Sequence, residues 1–491
     1  MFRYRSWNST CRCKSGALRP ALLRAAATMR FEYKHSLVSR WAHWINFPLL
    51  GIMIWSGLLI YWANDVYRVG VGQFTAFHFF PDSVYRVFDL DHRLAEGMAV
   101  HFFFMWLFAI NGLFYVSYTL ASGEWRDLVP NRTSLSNAIK VTLHELGLRN
   151  EAPPQGKYNA AQQLAYTGVI LMGAGSLVTG CAIYKPVQLA WLTSLLGGYQ
   201  MARFLHFWLT LGFLAFFVIH IVQVTRAGWR NFQSMISGLE LGSVNGAPGA
   251  NRQLSRHNRR AFLGFAGAAG VAVVGWEWLW SRPVDDSLPY PFRRVLDWNG
   301  NLESRVLFDE RHVTPQFPAF RIGKLRPNGD LGLDDDLEES QWKLSVALEG
   351  SERPFELTMG DIRALPTTEQ TTEFNCIEGW STVTQWRGTR FRDFVAKYSP
   401  NSQRARFASL VTPDESYFVG IDMASMMHPQ TLLCYEMNGR PLRPEHGAPL
   451  RLVIPVKYGI KNIKRIGKIS FTNVPPPDYW AIEGYDYYAG L

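Results

Sequence analysis

The sequence predicts a multidomain chain: an all-α transmembrane four-helix bundle with one extra anchor helix, followed by an α+β, strand-rich domain. Three observations predict it. Four apolar runs, Trp41 to Trp62, Ala95 to Leu120, Gln162 to Tyr184 and Met201 to Thr225, are each long enough to span a hydrocarbon core of about 30 Å. Two histidines, His206 and His220, lie inside the fourth run, where an ionisable residue is costly and marks function. From Asp285 onward, short β-branched and apolar runs alternate with Pro, Gly, Asn and Asp turns, the pattern of a soluble sheet domain. Hydrophobic residues make up 48% of the 491, an average of a very apolar front and an ordinary polar back, and the length leaves room for two or three domains.

Charge orients the bundle. The basic leader, residues 1–34, and the short flank after it carry Arg3, Arg5, Arg12, Lys14, Arg19, Arg24, Arg30, Lys34 and Arg40 against the single acid Glu32, so this end is expected on the cytoplasmic side. Arg126, Arg132, Lys140, Arg149 and Lys157 join the second and third spans, and Arg226, Arg230 and Arg252 follow the fourth, whereas residues 186–198 hold no Lys or Arg. Both ends of the bundle therefore face the cytoplasm. The net charge of +10 reflects these flanks. A basic patch interleaved with base-stacking aromatics is absent, so the expected partner is the lipid bilayer and not nucleic acid.

Within that orientation the histidines fall at matched depths. His206 and His220 are about 21 Å apart along a helix and within about 40° of one face. His43 enters the first span from the cytoplasm, level with His220. His101 lies near the outer end of the second, level with His206, and His92 is a nearby competitor for its place. Two imidazoles on one iron make a low-spin electron-transfer haem with no open position. For a single histidine, a hydrogen-bonded helix interface would be an adequate account, but four at matched depths favour two haems b. Arg40-Trp41-Ala42-His43-Trp44-Ile45-Asn46, His101-Phe102-Phe103-Phe104-Met105-Trp106 and Lys157-Tyr158-Asn159-Ala160-Ala161-Gln162-Gln163 resemble the cytochrome b subunits of formate dehydrogenase, nickel hydrogenase and thiosulfate reductase. The resemblance covers residues 35–238 and implies that His43, His101, His206 and His220 hold two b haems in the same pairs.

A linker over residues 239–257 follows, rich in Gly, Ser and Asn. Then comes Asn258-Arg259-Arg260-Ala261-Phe262-Leu263 before a mildly apolar Gly and Ala stretch. Paired arginines before Phe-Leu resemble a twin-arginine export signal, so residues 258–282 are expected to be an internal signal read by the twin-arginine export machinery. The plain alternative is a basic stop before an ordinary fifth helix. No Ala-x-Ala site follows, and Trp276-Glu277-Trp278-Leu279-Trp280 supplies an interfacial aromatic belt, so the stretch is expected to remain as an anchor.

The chain has five cysteines, Cys11, Cys13, Cys181, Cys376 and Cys434, an odd and scattered set that argues against a disulfide framework. A Cys376 to Cys434 bridge stays open. Cys434 lies in a strand-like run that usually buries a small apolar residue. Cys376 stands in Phe374-Asn375-Cys376-Ile377-Glu378-Gly379-Trp380-Ser381, where a soft thiolate could ligate a metal. The stretches Cys376 to Gly388, Met427-His428-Pro429, Glu436-Met437-Asn438-Gly439-Arg440-Pro441-Leu442, His446-Gly447-Ala448-Pro449-Leu450-Arg451 and Val456-Lys457-Tyr458-Gly459-Ile460-Lys461-Asn462-Ile463-Lys464 resemble the sulfite oxidase superfamily, nearest to periplasmic methionine sulfoxide reductase catalytic subunits. This resemblance, within a domain at 283–491, implies a Mo-molybdopterin cofactor with Cys376 as the molybdenum thiolate. It implies that Arg451, Asn462, Ile463, Lys464 and His446 hold the cofactor, with Thr412 and His312 as further positions.

Two departures bear on function. Sulfite-oxidising members follow their cysteine with an arginine-bearing run, but here Ile377-Glu378-Gly379-Trp380 follows. A carboxylate at Glu378 would repel sulfite and could relay a proton to an oxygen leaving as water. It could equally brace Trp380 through a hydrogen bond. The chain also ends at Leu491 without the C-terminal extension of the methionine sulfoxide reductases, which leaves its substrate open. The reading is a multi-pass enzyme of the bacterial inner membrane with a periplasmic C-terminal domain. It would take electrons from membrane quinol through two b haems to reduce a small periplasmic S-oxide or N-oxide. The alternatives are a sulfite or other sulfur-compound dehydrogenase that reduces quinone, and an electron conduit for a partner reductase.

Overall fold

The computed structural model describes residues 31–33, 35–71, 74–151, 158–241, 248–333, 338–347 and 354–490. Most of the basic leader at 1–34 therefore lies outside the described residues. The chain divides into two compact units, 1–40 with 223–271 and 41–222 with 272–491.

In the smaller unit, strand Phe31–Tyr33 pairs antiparallel with Leu239–Leu241. A short helix, Trp229–Ser237, runs between Gly228 (φ 83°) and Gly238 (φ 81°), two left-handed positions that glycine occupies without steric cost. The Arg40 guanidinium donates to the Ile236 carbonyl, and a Cβ on Gly238 would come within 3.0 Å of it. Asn258 donates to Gln233 Oε1 at 3.4 Å. Arg259 and Arg260, the next two residues, are exposed.

The predicted spans are helices α1 (Leu37–Trp62), α2 (Leu94–Ser122), α3 (Ala160–Tyr184) and α4 (Tyr199–Ala227), with the anchor as α5 (Pro248–Trp280). Among the described residues, five helices, including residues 257–280 of α5, are long and apolar enough to cross a membrane. The chain is a multi-pass membrane protein. An Asn159–Gln162 capping box starts α3, and left-handed Gly123 ends α2. Helices α1 and α2 approach at Gly97, where a Cβ would stand 2.6 Å from Leu59 Cβ, the small-residue contact that membrane helices use. Helix α5 begins ten residues before the expected anchor, inside the stretch read as a linker. Pro248 suits a first helical turn, and Arg252, Gln253 and Leu254 are good helix formers, so the helix propagates backward from its apolar part.

After a hairpin of two-residue strands, Val284–Asp285 with Leu288–Pro289, the C-terminal domain continues in a helix, α6 (Tyr290–Val306), where turns and strands were expected. Its buried face, Phe292, Arg293, Leu296, Asn299 and Gly300, recurs at the helical period. It rests on α2: the Phe292 and Phe103 rings lie 5.1 Å apart and Trp106 Nε1 donates to Asn299 Oδ1 at 2.9 Å.

The strands that follow are β1 (Leu344–Ala347), β2 (Phe355–Leu357), β3 (Thr367–Asn375), β4 (Ser381–Arg390), β5 (Phe407–Val411), β6 (Phe418–Asp422), β7 (Leu432–Met437), β8 (Arg440–Pro441), β9 (Arg451–Val453) and β10 (Lys468–Thr472). One sheet runs β8-β7-β4-β3, with β9 also paired to β7; the other runs β6-β5-β10-β1-β2, with only β10 and β1 parallel. The expected α+β, strand-rich class is what forms. The main core holds Trp342, Leu344, Phe391, Phe394, Leu410, Leu433 and Ile463.

Just past the C-terminal end of α3, Lys185 joins the two halves of the larger unit. Its ammonium pairs with Glu303 of α6 at 2.6 Å and donates to the Gly490 carbonyl at 2.6 Å, with side chains 5% and 16% exposed. Lys185→Met leaves a largely buried carboxylate without its cation and should lower stability by about 2–3 kcal/mol, below the cost of breaking a fully buried pair. Thermal unfolding in detergent should show that loss. The double variant Lys185→Met/Glu303→Leu should recover most of it.

Candidate functional site

Helices α1 and α4 bring His43 and His220 together with ring centroids 6.0 Å apart, and α2 and α4 bring His101 and His206 to 6.4 Å. Two imidazole–metal bonds of about 2 Å, plus roughly 1 Å from each nitrogen to its ring centre, give about 6 Å. Both pairs therefore have the separation of two imidazoles on one iron. His101 Nδ1 lies 2.9 Å from Ser56 Oγ, which donates to Ile52 O at 2.8 Å. His206 Nδ1 lies 2.9 Å from Thr179 Oγ1, which donates to Gly175 O at 2.7 Å. Each hydroxyl proton is already engaged by a carbonyl, so each hydroxyl accepts the ring N–H, and each ring keeps a bare Nε2 for a metal. Nothing local in the sequence marks Ser56 or Thr179, because each belongs to a different helix from its histidine. His92 sits before α2 at φ 55°, its ring 4.4 Å from that of Trp62, so His101 is the residue opposite His206.

The second centre grows from a β-hairpin. Strands β3 and β4 pair from Thr367↔Thr389 to Ser381↔Asn375, leaving Cys376 to Trp380 as the turn. Cys376 N–H donates to Trp380 O and Gly379 N–H to Cys376 O, both at 2.9 Å, and Gly379 takes φ 95°. Cys376 is buried, and burial followed by the Glu378 charge pushes its thiol up to about 12. A thiolate there needs a cation in place of the proton, which is what a metal supplies. Glu378 accepts from Trp380 Nε1 at 2.8 Å and from Asn328 Nδ2 at 3.1 Å. Asn328 Nδ2 is 3.9 Å from the Cys376 sulfur. Cys434 is also buried, its thiol donating to Glu436 O at 3.2 Å, and both thiols are free. In register, Cys434 faces Gly388 on one side and Arg451 on the other; a Cβ on Gly388 would come 2.7 Å from Cys434 Cα.

Beside the hairpin lies a cluster of cationic groups, Arg451, His446 and Lys464, whose neighbouring acid Glu445 is paired with Arg443 at 3.0 Å. Arg451 is 2% exposed; it donates to His446 O at 3.1 Å and Asn462 O at 3.3 Å, and its Nε is buried without a partner. His446 Nδ1 is likewise buried and unpartnered. Burial, then the charge of Arg451, lowers His446 to about 4 and Lys464 to about 8, and burial lowers Arg451 to about 10. Orphaned buried donors with suppressed charge fit a buried anion such as a cofactor phosphate. Lys464 Nζ donates to Asn328 O at 2.8 Å and Gly329 O at 2.7 Å, which ties this cradle to the loop above Cys376.

Not every predicted residue presents its side chain there. Asn462 uses its amide on Ile454 N–H and Tyr458 O, so its free contribution is its backbone. Ile463 is fully buried, with its carbonyl on Leu452 N–H at 3.0 Å. Thr412 Oγ1 is engaged in its own turn, with Asp414 and with Tyr417 N–H at 3.1 Å. His312 is exposed, with Nδ1 3.1 Å from Leu307 O.

The two centres meet at Gly379. Gln200 Nε2 donates to Gly379 O at 3.2 Å and to Ser381 Oγ at 2.9 Å, and Arg203 Nη1 donates to the same Gly379 carbonyl. Both come from the first turns of α4, with His206 three residues beyond Arg203. Sequence reasoning did not single out Gln200, Arg203 or Asn328.

The family model described as prokaryotic cytochrome b561 matches residues 34–238, and that of the oxidoreductase molybdopterin binding domain matches residues 331–480. The putative protein-methionine-sulfoxide reductase subunit YedZ1 of Azospira oryzae is 32% identical over 187 residues, 38% of this chain and 70% of that protein. The chain belongs to the prokaryotic cytochrome b561 family. To that cytochrome it joins a molybdopterin-binding oxidoreductase domain of the sulfite oxidase type. The catalytic subunit MsrP of the Campylobacter jejuni protein-methionine-sulfoxide reductase is 36% identical over 180 residues, 33% of this chain, and the chain spans 60% of that relative's length. The sulfane dehydrogenase SoxCD of Paracoccus pantotrophus is 20% identical across 29% of this chain and 40% of that one, at a TM-score of 0.26, too partial to bear on the fold.

Gly379→Ala in this cytochrome would place a Cβ 2.7 Å from Arg203 Cζ and force an L-residue to φ 95°. A loss of roughly 1–2 kcal/mol is expected from the backbone alone. Amide exchange over residues 376–381 should accelerate; unchanged exchange there would show that the hairpin does not depend on the contact.

Proposed function

We propose that the chain is a quinol-linked membrane molybdoenzyme that draws electrons through two b haems and reduces an S-oxide or N-oxide on the periplasmic face. The observation that carries this reading is the docking of the Cys376 hairpin on the end of α4 that bears His206. Two imidazole pairs at two depths of one bundle suit transfer between the membrane and that hairpin. The exposed Arg259 and Arg260 ahead of the apolar part of α5 suit an export signal that delivers the domain folded and retains it by its anchor.

The residues present fit molybdopterin, which when bound through the Cys376 thiolate would supply a two-electron oxygen-atom acceptor. Arg451, Lys464 and His446 would hold its anionic end, with backbone groups of Asn462 and Ile463 beside them. Overall an oxide takes up two electrons and two protons and leaves as the sulfide or amine plus water, and quinol supplies both. The two donors on Glu378 support its role as a brace for Trp380 and the hairpin; proton delivery from it would require one of these bonds to open.

In membranes with dithionite-reduced haems, methionine sulfoxide should reoxidise the haem absorption, and Cys376→Ser should abolish this. Reduction of oxidised haems by sulfite through Cys376 would instead establish the dehydrogenase direction. Ser56→Ala and Thr179→Ala should each weaken haem at the outer pair about tenfold or more, read as reduced low-spin signal by electron paramagnetic resonance. The inner signal should persist.

A further inference from the structure

The larger unit contains a cavity of about 520 Å³ that the electron path leaves unexplained. Glu378, two residues from Cys376, forms one wall, and the C-terminal residues Trp480, Glu483 and Tyr485 form another. The opposite side is made by the membrane half: Trp62 at the end of α1, and His92 and Arg93 at the start of α2. The active-site turn thus borders, through Glu378, a cleft that is partly open to solvent and whose far wall is the cytochrome's own helix ends. The volume suits a small molecule, which such sites enclose at about 300–1,000 Å³.

The charge of the chamber is one-sided. Arg93 is engaged by Glu96 at 2.6 and 2.9 Å and by Asp89 at 2.9 Å, so it presents little free positive charge. Glu378 holds only neutral N–H donors. Glu483 is exposed, and among the described residues neither it nor Glu378 forms an ion pair. Indole and phenol faces of Trp62, Trp480 and Tyr485 complete the walls, surfaces that favour a cation or a neutral apolar group.

Resting on the oxide-reductase reading, we propose that this chamber is the substrate site and that it selects small oxides that are cationic or uncharged. It excludes anions and oxides carried on folded proteins. The cytochrome domain would then serve as a specificity wall as well as an electron donor.

The test uses the full-length holoenzyme in detergent. Binding, free of turnover, is read by tryptophan fluorescence with two non-reducible sulfones, methionine sulfone methyl ester (cationic) and N-acetylmethionine sulfone (anionic). Turnover is read with reduced viologen and the matching sulfoxides, and with oxidised α-lactalbumin. The ester should bind at least fivefold tighter and show the lower KM, Glu483→Lys should reverse that order, Glu483→Gln should level it, and the oxidised protein should not be reduced. Equal binding of the two sulfones, no response to Glu483→Lys, or reduction of oxidised protein at a kcat/KM like that of the free sulfoxide would overturn the inference. If no oxide is reduced but the sulfones keep their charge order, the reductase reading fails and the chamber's selectivity stands.

Discussion

A single backbone carbonyl, that of Gly379, is the constraint on which the rest depends. It accepts from Arg203 and Gln200, and it belongs to the five-residue turn that carries Cys376. The approach requires a residue without a Cβ in a left-handed conformation, so the hairpin geometry and the helix docking are one condition. Lys185 with Glu303, and Trp106 with Asn299, hold the same two halves together farther from the turn. These contacts are polar and directional, so they set a register between halves that apolar packing alone would leave free to slide.

The imidazole pairs and the cationic cradle follow a common logic. In each, groups that would be costly to bury alone are aimed at a common point. Ser56 and Thr179 orient the imidazoles of His101 and His206 by taking their Nδ1 protons, while Arg451 and His446 keep buried nitrogens without partners beside Lys464. The hydroxyls set direction and the orphaned donors set charge, and both are consistent with a cytochrome b561 joined to a molybdopterin-binding domain.

Much of this was legible along the chain. The four spans, the pairing of His43 with His220 and of His101 with His206, and the strand-rich C-terminal domain follow from apolar length, depth and alternation. Helix α6 was missed because its apolar face is short and polar residues dominate its composition; packing against α2 makes it a helix. The linker boundary was misplaced because Gly and Asn content outweighed the helix formers that extend α5. For Glu378 the sequence left two roles open, a proton relay or a brace for Trp380; the Trp380 bond two residues on was legible, whereas the second donor comes from Asn328 fifty residues earlier.

By itself the sequence determined what must be buried: apolar length chose the membrane helices, histidine depth chose the two pairs, and alternation chose the sheets. Those are properties of one segment and its solvent. Only the tertiary structure decided which distant groups converge, the hydroxyls behind the imidazoles, Arg203 on Gly379, and the helix ends that line the cleft beside Glu378. Such contacts join residues far apart in the chain, and their energy depends on positions that no local period records.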